Sequence, residues 1–371
     1  MQVGGVSWRT IRVGADGWSV EVIDQRLLPH RFQVARLVSL QDAADAIRSM
    51  TVRGAPLIGA TAAYGVALAL RVDASDESLV EAAEILGATR PTAINLAWAL
   101  DAAVAVLGTL PPDERLSAAY RHAAGLCDDD VATNSAIGEH GLALIRAAWR
   151  RRHAAGAARV NILTHCNAGW LATVDWGTAL APVYKAHAEG IPVHVWVDET
   201  RPRNQGAALT AWELGQAGIP HTVVVDSASG HLMQRGLVDL CFVGTDRTTS
   251  DGDVANKIGT YPTALAARDN GVPFYVCVPG PSIDWSLANG QDIPIEVRAD
   301  SEVLGVEGVL ADGSTARVRI APTGTMALNP AFDVTPARLV TGLVTERGIA
   351  VADRRDLARL YPEMATERAG N

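Results

Sequence analysis

The chain has 371 residues, of which 48% are apolar and 20% are charged, and its formal net charge is −9 at neutral pH. This length favours two domains, and the composition is that of a folded protein, which excludes a disordered or fibrous chain. The excess of negative charge argues against general binding of nucleic acid or of anionic membranes, because both need a basic surface. An anionic ligand must therefore be held by a few local groups.

The start of the chain and its most apolar stretch predict neither export nor membrane insertion. The first residues, MQVGGVSWRTIRVGADG, lack the basic and apolar regions of a secretory signal. The stretch Leu57 to Leu70 is shorter than the roughly 17 to 25 residues that span a bilayer. The four cysteines are widely spaced without a CxxC pair, so we predict reduced thiols in a cytoplasmic protein.

The first half of the chain is predicted to be mainly helical after a short antiparallel start. Two alternating segments, TIRVGAD and WSVEVIDQRLL, flank Asp16-Gly17, which is a good hairpin signal. From residue 42 to about residue 151 the apolar residues follow helical spacing, with breaks at Pro91 and at Pro111-Pro112.

The second half has the pattern of a buried parallel sheet, in which short β-branched runs alternate with helical or loop segments. The runs are VNILT (160–164), VHVWV (193–197), HTVVV (221–225), DLCFVG (239–244) and FYVCV (274–278). We therefore predict an α/β protein with two domains. Residues 1–150 form a mostly helical domain that begins with a small antiparallel sheet, and residues 151–371 form a Rossmann-like parallel-sheet domain.

Reactive or charged residues follow four of these strands at their carboxyl ends, where parallel sheets bind ligands. They are His165-Cys166-Asn167, Asp198-Glu199-Thr200-Arg201, Asp226-Ser227 and Thr245-Asp246-Arg247. If the first strand stays extended, Cys166 lies on the opposite side from His165. A turn into a helix would then place backbone donors and a helix dipole near its thiolate. Cys166 is a candidate nucleophile or base, and a buried apolar cysteine is the alternative.

Asp246, which follows the fourth of these strands, and Lys257, in the segment after it, are two further candidate functional residues that carry a charge. Partial burial would favour the protonated carboxyl of Asp246 and make it a general acid, and an ion pair with Arg247 or a helix cap is the alternative. The segment from Ser250 to Lys257 predicts a turn, a capping aspartate and the first turn of a helix. Such a helix start with Lys257 would bind phosphate, and a capped helix with a surface lysine is the alternative.

Two arginine loops lie in the helical half, Arg53-Gly54-Ala55-Pro56 and Thr89-Arg90-Pro91-Thr92. Glycine or proline beside arginine gives a rigid backbone that presents the guanidinium to phosphate or sugar oxygens, and solvent-exposed arginines are the alternative. No GxGxxG follows a predicted strand, and GxxxxGK[ST], HExxH and GxSxG do not occur. The sequence therefore predicts no nucleotide cofactor, no metal site and no serine hydrolase.

Six stretches of the chain resemble the successive motifs of methylthioribose-1-phosphate isomerases. They are TVRGAPLIGATAAYG (51–65), TRPTAINL (89–96), NILTHCNAG (161–169), VWVDETRPRNQGAALTAWEL (195–214), GTDRTTSDGDVANKIGTYP (244–262) and NPAFDVTP (329–336). They span nearly the whole chain in the order of the family. The wider superfamily also contains ribose-1,5-bisphosphate isomerases and regulatory subunits of a translation-initiation exchange factor.

The resemblance implies an enzyme of methionine salvage that converts 5-methylthioribose 1-phosphate to 5-methylthioribulose 1-phosphate. It implies a cytoplasmic homodimer without a cofactor, whose catalytic residues are Cys166 and Asp246. The substrate-binding residues that it implies are Arg53, Gly54, Ala55, Arg90, Gln205, Asn256 and Lys257. Because the anomeric oxygen carries phosphate, the ring oxygen must be protonated, which suits a neutral Asp246. Hydrogen then moves from C2 to C1 as a proton or as a hydride, under a cover formed by the Arg53 and Arg90 loops.

Departures from the family pattern leave the group accepted at C5 open. Thr245 and Thr248 stand where the family has Ala and Ile, Trp170 and Trp176 replace smaller residues, and PGPSIDWS (279–286) is less rich in serine. One alternative is an isomerase of 5-deoxyribose 1-phosphate or ribose 1,5-bisphosphate. A second phosphate would need further cations, and the additional tryptophans favour an apolar substituent, although Trp170 itself is expected to pack in the core. The other alternative, a non-catalytic regulatory subunit of the exchange-factor type, conflicts with the retained Cys166 and Asp246.

Overall fold

In the computed structural model, which describes residues 1–366, the N-terminal part begins with two small antiparallel sheets. Strands β1 (Gln2–Val3) and β2 (Val6–Ser7) form a hairpin, and β3 (Ile11–Val13), β4 (Val20–Ile23) and β5 (Val34–Leu37) form a three-stranded sheet. The Asp16 carboxylate stabilises the turn between β3 and β4 by accepting the N–H groups of Trp18 and Ser19. The predicted hairpin and antiparallel start are confirmed.

Five helices follow, and one of them lies at the centre of the others. They are α1 (Leu40–Arg48), α2 (Ala55–Leu70), α3 (Asp76–Gly87), α4 (Ile94–Leu107) and α5 (Pro112–Ala154). The breaks fall at the predicted prolines, because Pro91 lies in the loop before α4 and Pro111 precedes α5. Helix α2 is buried on nearly all sides, because its small alanine and glycine side chains let α1, α3, α4 and α5 pack closely around it.

The C-terminal part alternates strands and helices. In chain order its elements are β6 (Val160–Thr164), α6 (Ala181–Ala188), β7 (Val193–Asp198), α7 (Ala211–Gln216), β8 (His221–Val224), α8 (Ala228–Gln234), β9 (Leu240–Val243), β10 (Arg247–Thr249), β11 (Val254–Lys257), α9 (Thr260–Asp269), β12 (Phe274–Cys277), β13 (Ile283–Asp284), α10 (Ser301–Leu304), β14 (Gly305–Val309), β15 (Thr315–Arg319), β16 (Phe332–Thr335), β17 (Gly342–Thr345), β18 (Gly348–Ala350), α11 (Arg354–Leu360) and α12 (Pro362–Thr366).

Seven of these strands form one sheet in the order β18-β17-β12-β9-β6-β7-β8. All neighbours are parallel except the edge strand β18, which runs antiparallel to β17. Strands β6, β7, β8, β9 and β12 coincide with the five predicted runs. The predicted α/β fold is confirmed, and the carboxyl ends of its central strands meet at one edge of the sheet.

A second sheet, of order β13-β10-β11-β16, corrects one prediction. The run from Val254 to Lys257 is a strand and does not open a helix, because it finds backbone partners on both sides, in β10 and in β16. Helix α9 begins at Thr260. The carboxylate of Asp253 does not cap the predicted helix and instead accepts the first N–H groups of two distant 3-10 turns, at Gly290 and Ala337.

Helix α5 connects the two parts of the molecule. Ala118 and Cys127 in its first half pack in the N-terminal core, whereas Ile137 and Ile145 in its second half pack with α6 in the core of the large sheet. The division into residues 1–150 and 151–371 stays a prediction, and it assigns all but the last four residues of this shared helix to the first domain. Within residues 1–366 no helix is both long and apolar enough to cross a bilayer. All four cysteines are buried and free.

Candidate active site

Cys166 lies just beyond the carboxyl end of β6, where the backbone leaves the extended conformation. Its φ angle is 65°, its N–H donates to the Thr200 hydroxyl at 2.8 Å, and its carbonyl accepts from the Thr210 hydroxyl at 2.7 Å. The predicted alternation of sides therefore stops at this residue. The predicted helix dipole is wrong as well, because only a short 3-10 turn, Trp170–Ala172, follows. Cys166 is 7% exposed and is held by side chains instead.

Buried charges surround the Cys166 thiol. Burial raises the pKa of Cys166, while the cations Arg53 and Lys257 act to lower it. The charge of Asp246 acts in the opposite sense and raises it. The fold thus brings the predicted catalytic pair and two predicted substrate-binding cations within electrostatic reach of one another, although they are far apart in the sequence.

A buried network fixes Arg53 beside the Cys166 loop. The Arg53 guanidinium donates to the side-chain and main-chain oxygens of Asn167. The Asn167 amide donates in turn to Glu213 at 2.9 Å, and Glu213 also accepts the Tyr184 hydroxyl at 2.7 Å and two backbone N–H groups. Burial lowers the pKa of Arg53, and the charges of Cys166, Asp246 and Glu213 oppose that shift. Arg53 is a fixed buried cation, which excludes the solvent-exposed alternative.

Gly54 and Ala55 begin helix α2 at the edge of the site. Gly54 has a φ of 96°, and a Cβ atom at this position would lie 2.3 Å from the carbonyl oxygen of Ala172, so only glycine fits. No side chain caps this helix, and its first N–H groups are available to an anion. Ala55 lines the cleft described next.

Asp246 follows β9 and lines a cleft between the two parts of the molecule. Ala55, Ile58, Arg90, Thr92 and Ala93 of the helical part line the cleft with Asp246, Arg247, Ala255, Ile293, Pro294 and Phe332 of the other part. Arg247 bonds to Asp284 at 3.1 Å and to the Thr92 carbonyl at 2.6 Å, so the alternative of a pair with Asp246 is wrong. The cleft supports our expectation that the helical domain covers the site.

Lys257 and Asn256 are buried on β11, which excludes the alternative of a surface lysine. The Lys257 ammonium donates to the Ala331 carbonyl at 2.8 Å, and the Asn256 amide donates to the Thr260 hydroxyl at 3.0 Å. Burial, with a smaller effect of Arg298, lowers the pKa of Lys257 to about 8. This lysine is therefore mostly charged at neutral pH and loses its proton at about pH 8.

The cations of the site differ in whether a carboxylate neutralises them. Arg90 and Arg298 share Glu296, at 2.7 and 3.0 Å, and Arg247 pairs with Asp284. Within residues 1–366 neither Arg53 nor Lys257 has a carboxylate at salt-bridge distance, since both donate to neutral oxygens. These two side chains keep their charge for a ligand.

Gln205 lies on the loop after β7, at the start of a π-helical segment, Gly206–Thr210. Its side chain is buried, and its Oε1 atom has no hydrogen-bond partner in the part of the chain that the structure describes. A buried acceptor without a partner suits a hydroxyl of a ligand. The same loop carries Thr200, which holds the N–H of Cys166.

Sequence reasoning missed the residues that support the site from behind. Glu213 is fully buried and organises the Cys166 loop, and Glu296 with Arg298 sets the charge of the cleft around Arg90. A weak signal for Glu213 exists, because a single carboxylate stands in the otherwise uncharged stretch AALTAWEL. Glu296 and Arg298 carry no such signal.

Comparison with known proteins identifies the family. A model of the Initiation factor 2 subunit family matches residues 51–351. The chain is 62% identical to a methylthioribose-1-phosphate isomerase from Acidiphilium cryptum over 371 residues, which is 100% of each chain.

Two solved structures agree with this result. One is the 5-methylthioribose 1-phosphate isomerase from Pyrococcus horikoshii OT3, with a TM-score of 0.82, 40% identity and 96% of each chain covered. The other is described as the delta subunit of translation initiation factor eIF-2B from A. fulgidus, with a TM-score of 0.78, 38% identity, and coverage of 96% of this chain and 100% of that chain. The present chain belongs to the Initiation factor 2 subunit family, and within it to the methylthioribose-1-phosphate isomerases.

Proposed function

We propose that the protein converts 5-methylthioribose 1-phosphate to 5-methylthioribulose 1-phosphate, with Cys166 and Asp246 as its catalytic residues. The identity of 62% over the full length to an isomerase of this name supports the reaction. The observation that carries the residue assignment is the meeting of Cys166, Asp246, Arg53 and Lys257 in one site. A thiol, a carboxyl group and two cations without carboxylate partners are suited to acid–base chemistry on a phosphorylated sugar.

The substrate phosphate binds, in this proposal, between Arg53, Lys257 and the first N–H groups of α2 at Gly54-Ala55. Both cations are buried, and both donate to neutral oxygens, so their charge attracts an anion strongly at low dielectric. Arg90 at the cleft, Gln205 and Asn256 contact the sugar hydroxyls. The free acceptor of Gln205 supports its part in this assignment.

The reaction begins when Asp246 donates its proton to the ring oxygen and the bond between that oxygen and C1 breaks. In a proton route, the Cys166 thiolate removes the proton from C2, and an enol forms between C1 and C2. The thiol then returns that proton to C1, while the C2 hydroxyl becomes a ketone and its proton passes to the Asp246 carboxylate. In a hydride route, hydrogen moves from C2 to C1 with its electron pair, and a base takes the proton of the C2 hydroxyl. Both routes are redox-neutral overall and need no co-reactant.

The lining of the cleft favours an apolar group at C5. The reason is not the additional tryptophans from which the sequence predicted this preference. Trp170 is 1% exposed and packs against Trp212 in the core, so it recognises no substrate group. The apolar side chains of the cleft are Ala55, Ile58, Ala93, Ala255, Ile293, Pro294 and Phe332. The other arginines near the cleft are paired with carboxylates and are poorly suited to a second phosphate. A methylthio group fits this setting better than a phosphate.

A substrate panel tests the proposal. The purified full-length protein is incubated with 5-methylthioribose 1-phosphate, 5-deoxyribose 1-phosphate and ribose 1,5-bisphosphate, and product formation is followed by phosphorus and proton NMR. We expect the methylthio substrate to give the highest kcat/KM. Preference for the bisphosphate would overturn the assignment at C5. The same reaction in heavy water separates the two routes, because deuterium enters C1 when the C2 proton exchanges with solvent.

A non-catalytic role of the exchange-factor type is the second candidate, because the chain is also 38% identical to the delta-subunit structure from A. fulgidus. The absence of turnover with all three substrates would favour it.

We further propose that the protein is a cytoplasmic homodimer with a Rossmann-like catalytic domain covering residues 151–371. Light scattering of the protein as it elutes from a size-exclusion column would measure its mass in solution, and a mass of twice that of the chain would support the dimer.

A further inference from the structure

We propose that His165 is held as an imidazolium and positions Cys166 relative to the segment that carries Lys257. His165 precedes the candidate catalytic cysteine in the chain, and its ring is 1% exposed. The role as a positioning residue rests on the proposed function of Cys166 and Lys257. The charge on the ring rests on geometry alone.

Both ring nitrogens of His165 face acceptors. Nε2 lies 2.8 Å from the carbonyl oxygen of Ile258, which can only accept, so Nε2 carries a hydrogen. Nδ1 lies 2.9 Å from a carboxylate oxygen of Asp198. The other carboxylate oxygen of Asp198 accepts the hydroxyl of Ser229. When Asp198 is ionised, both nitrogens face acceptors and the ring donates at both, which is the imidazolium form of the proposal.

The charges around the ring favour this form. Asp198 on β7, Asp226 beyond β8 and Asp333 on β16 face it from three elements, while the cation Lys257 lies near Asp333. Burial acts to lower the pKa of His165, but the hydrogen bond to Asp198 and the charges of Asp198 and Asp226 raise it above its usual value. Burial also raises the pKa of Asp198, whereas its hydrogen bonds with His165 and Ser229 act to lower it. These bonds stabilise the ionised pair against the cost of burial.

One cluster of side chains has the composition of a metal site, but its nitrogen and oxygen atoms are already engaged in hydrogen bonds. His165, Asp198 and Asp226 lie close enough together to be considered as metal ligands. However, Nδ1 of His165 bonds directly to Asp198, and the two carboxylate oxygens of Asp226 accept the N–H groups of Thr200 and Arg201. The cluster is a hydrogen-bonded support for the loops after β6, β7 and β8.

The ring connects the two segments that carry the reactive groups. One of its bonds reaches the end of β7, next to the loop of Thr200 that holds Cys166, and the other reaches the residue after Lys257. Gly259 has a φ of 104°, and a Cβ atom there would lie 2.7 Å from Cε1 of the ring, so the segment packs directly on the imidazole. Loss of the ring would free the thiol and the ammonium to move independently.

Replacement of His165 tests the positioning role. In His165→Gln we expect kcat/KM for 5-methylthioribose 1-phosphate to fall on the order of 100-fold, because a misplacement of about 1 Å has an effect of this size. Loss of the imidazolium should also move the pH midpoint of Cys166 alkylation upwards, as followed by mass spectrometry of the cysteine peptide. A purely structural role would leave this midpoint unchanged.

The matched control is His194→Gln. His194 is a buried histidine at the start of β7 that bonds the Thr222 hydroxyl, and we expect its replacement to leave kcat/KM and the alkylation midpoint as in the wild type. Wild-type kcat/KM in folded His165→Gln would overturn the positioning role, and so would an unchanged alkylation midpoint.

A second measurement decides the charge on the ring without any variant. In the wild-type protein, nitrogen NMR of the histidine rings should find both nitrogens of His165 protonated from about pH 6 to about pH 8, where an ordinary histidine is neutral over most of the range. One unprotonated ring nitrogen at neutral pH would overturn the imidazolium. This result is independent of turnover, whereas a wild-type protein that fails to isomerise the sugar contradicts the proposed function alone.

Discussion

The side of the candidate active site around Cys166, here called the cysteine side, and the side around Asp246, here called the acid side, differ in how firmly the fold holds their side chains. On the cysteine side, Arg53, His165 and Glu213 are buried, and each makes at least two hydrogen bonds. On the acid side, Asp246 and Arg90 are only partly buried and line the cleft between the two parts of the molecule. The cysteine side is therefore preorganised by buried hydrogen bonds, whereas the acid side faces the cleft.

This difference predicts that a change on the acid side affects catalysis and leaves stability intact. For Asp246→Asn we expect kcat/KM to fall about 10²- to 10⁴-fold, because loss of a general acid has effects of this size. The free energy of unfolding should stay close to that of the wild type, since the side chain is partly exposed and the replacement has the same shape. Initial rates and urea unfolding measure the two quantities.

The control for this variant is Asp251→Asn, in the exposed turn between β10 and β11. It should behave as the wild type in both measurements. Near wild-type turnover of Asp246→Asn would refute the role of this residue in ring opening.

On the cysteine side, a change should affect both stability and catalysis. Glu213→Leu removes the acceptor of four buried donors and one of the negative charges that act on Arg53. We expect a loss of about 3 to 5 kcal/mol in the free energy of unfolding, because buried donors without an acceptor cost about 1 to 3 kcal/mol each. Urea unfolding measures this loss, and the surface variant Glu189→Leu serves as the control with nearly unchanged stability. Unchanged stability of Glu213→Leu would mean that the network does not hold the loop.

The same contrast explains what the sequence could and could not predict. Strand ends can be predicted, because β-branched runs mark the strands and polar residues follow them, so the sequence predicts that Cys166 and Asp246 follow β6 and β9. Their catalytic role stays a proposal. The resemblance to the family motifs predicted a substrate-binding role for Arg53 and Lys257. Residue spacing alone did not decide between that role and solvent exposure. The strand β11 was misread as a helix start, because its Asp-Val-Ala-Asn-Lys sequence resembles a capped helix and its two partner strands are distant in the chain.

The supports of the site were harder to find for a physical reason. Glu213 acts through contacts that span 29 to 46 positions, and a carboxylate in such a network carries no local pattern. The φ of 65° at Cys166 is likewise set by bonds to Thr200 and Thr210 rather than by its neighbours in the sequence. Long-range hydrogen bonds, unlike hydrophobic periodicity, leave little trace in one sequence.

Lys257 belongs to the buried side but is proposed to bind the substrate phosphate, and the pH dependence of kcat/KM tests this proposal. Because its pKa in the free protein is lowered to about 8, the ammonium is charged below that pH and neutral above it. We expect kcat/KM to fall above pH 8, by up to about tenfold per pH unit if one proton is required. Lys257→Arg, if it folds, should shift this fall to higher pH, since a guanidinium keeps its charge. A fall with the same midpoint in that variant would assign the titration to another group.

Arg90 should give the smallest effect, because it already has a partner. Its guanidinium bonds Glu296 at 2.7 Å, so part of its charge is neutralised before the sugar binds. For Arg90→Gln we expect kcat/KM to fall about 2- to 12-fold, which corresponds to one ordinary hydrogen bond, with little change in stability. The exposed Arg48→Gln, which loses a surface pair with Asp45, is the control for charge removal. A loss as large as that of Asp246→Asn would mean that Arg90 contacts the phosphate itself, and the anion site would then extend from the buried side into the cleft.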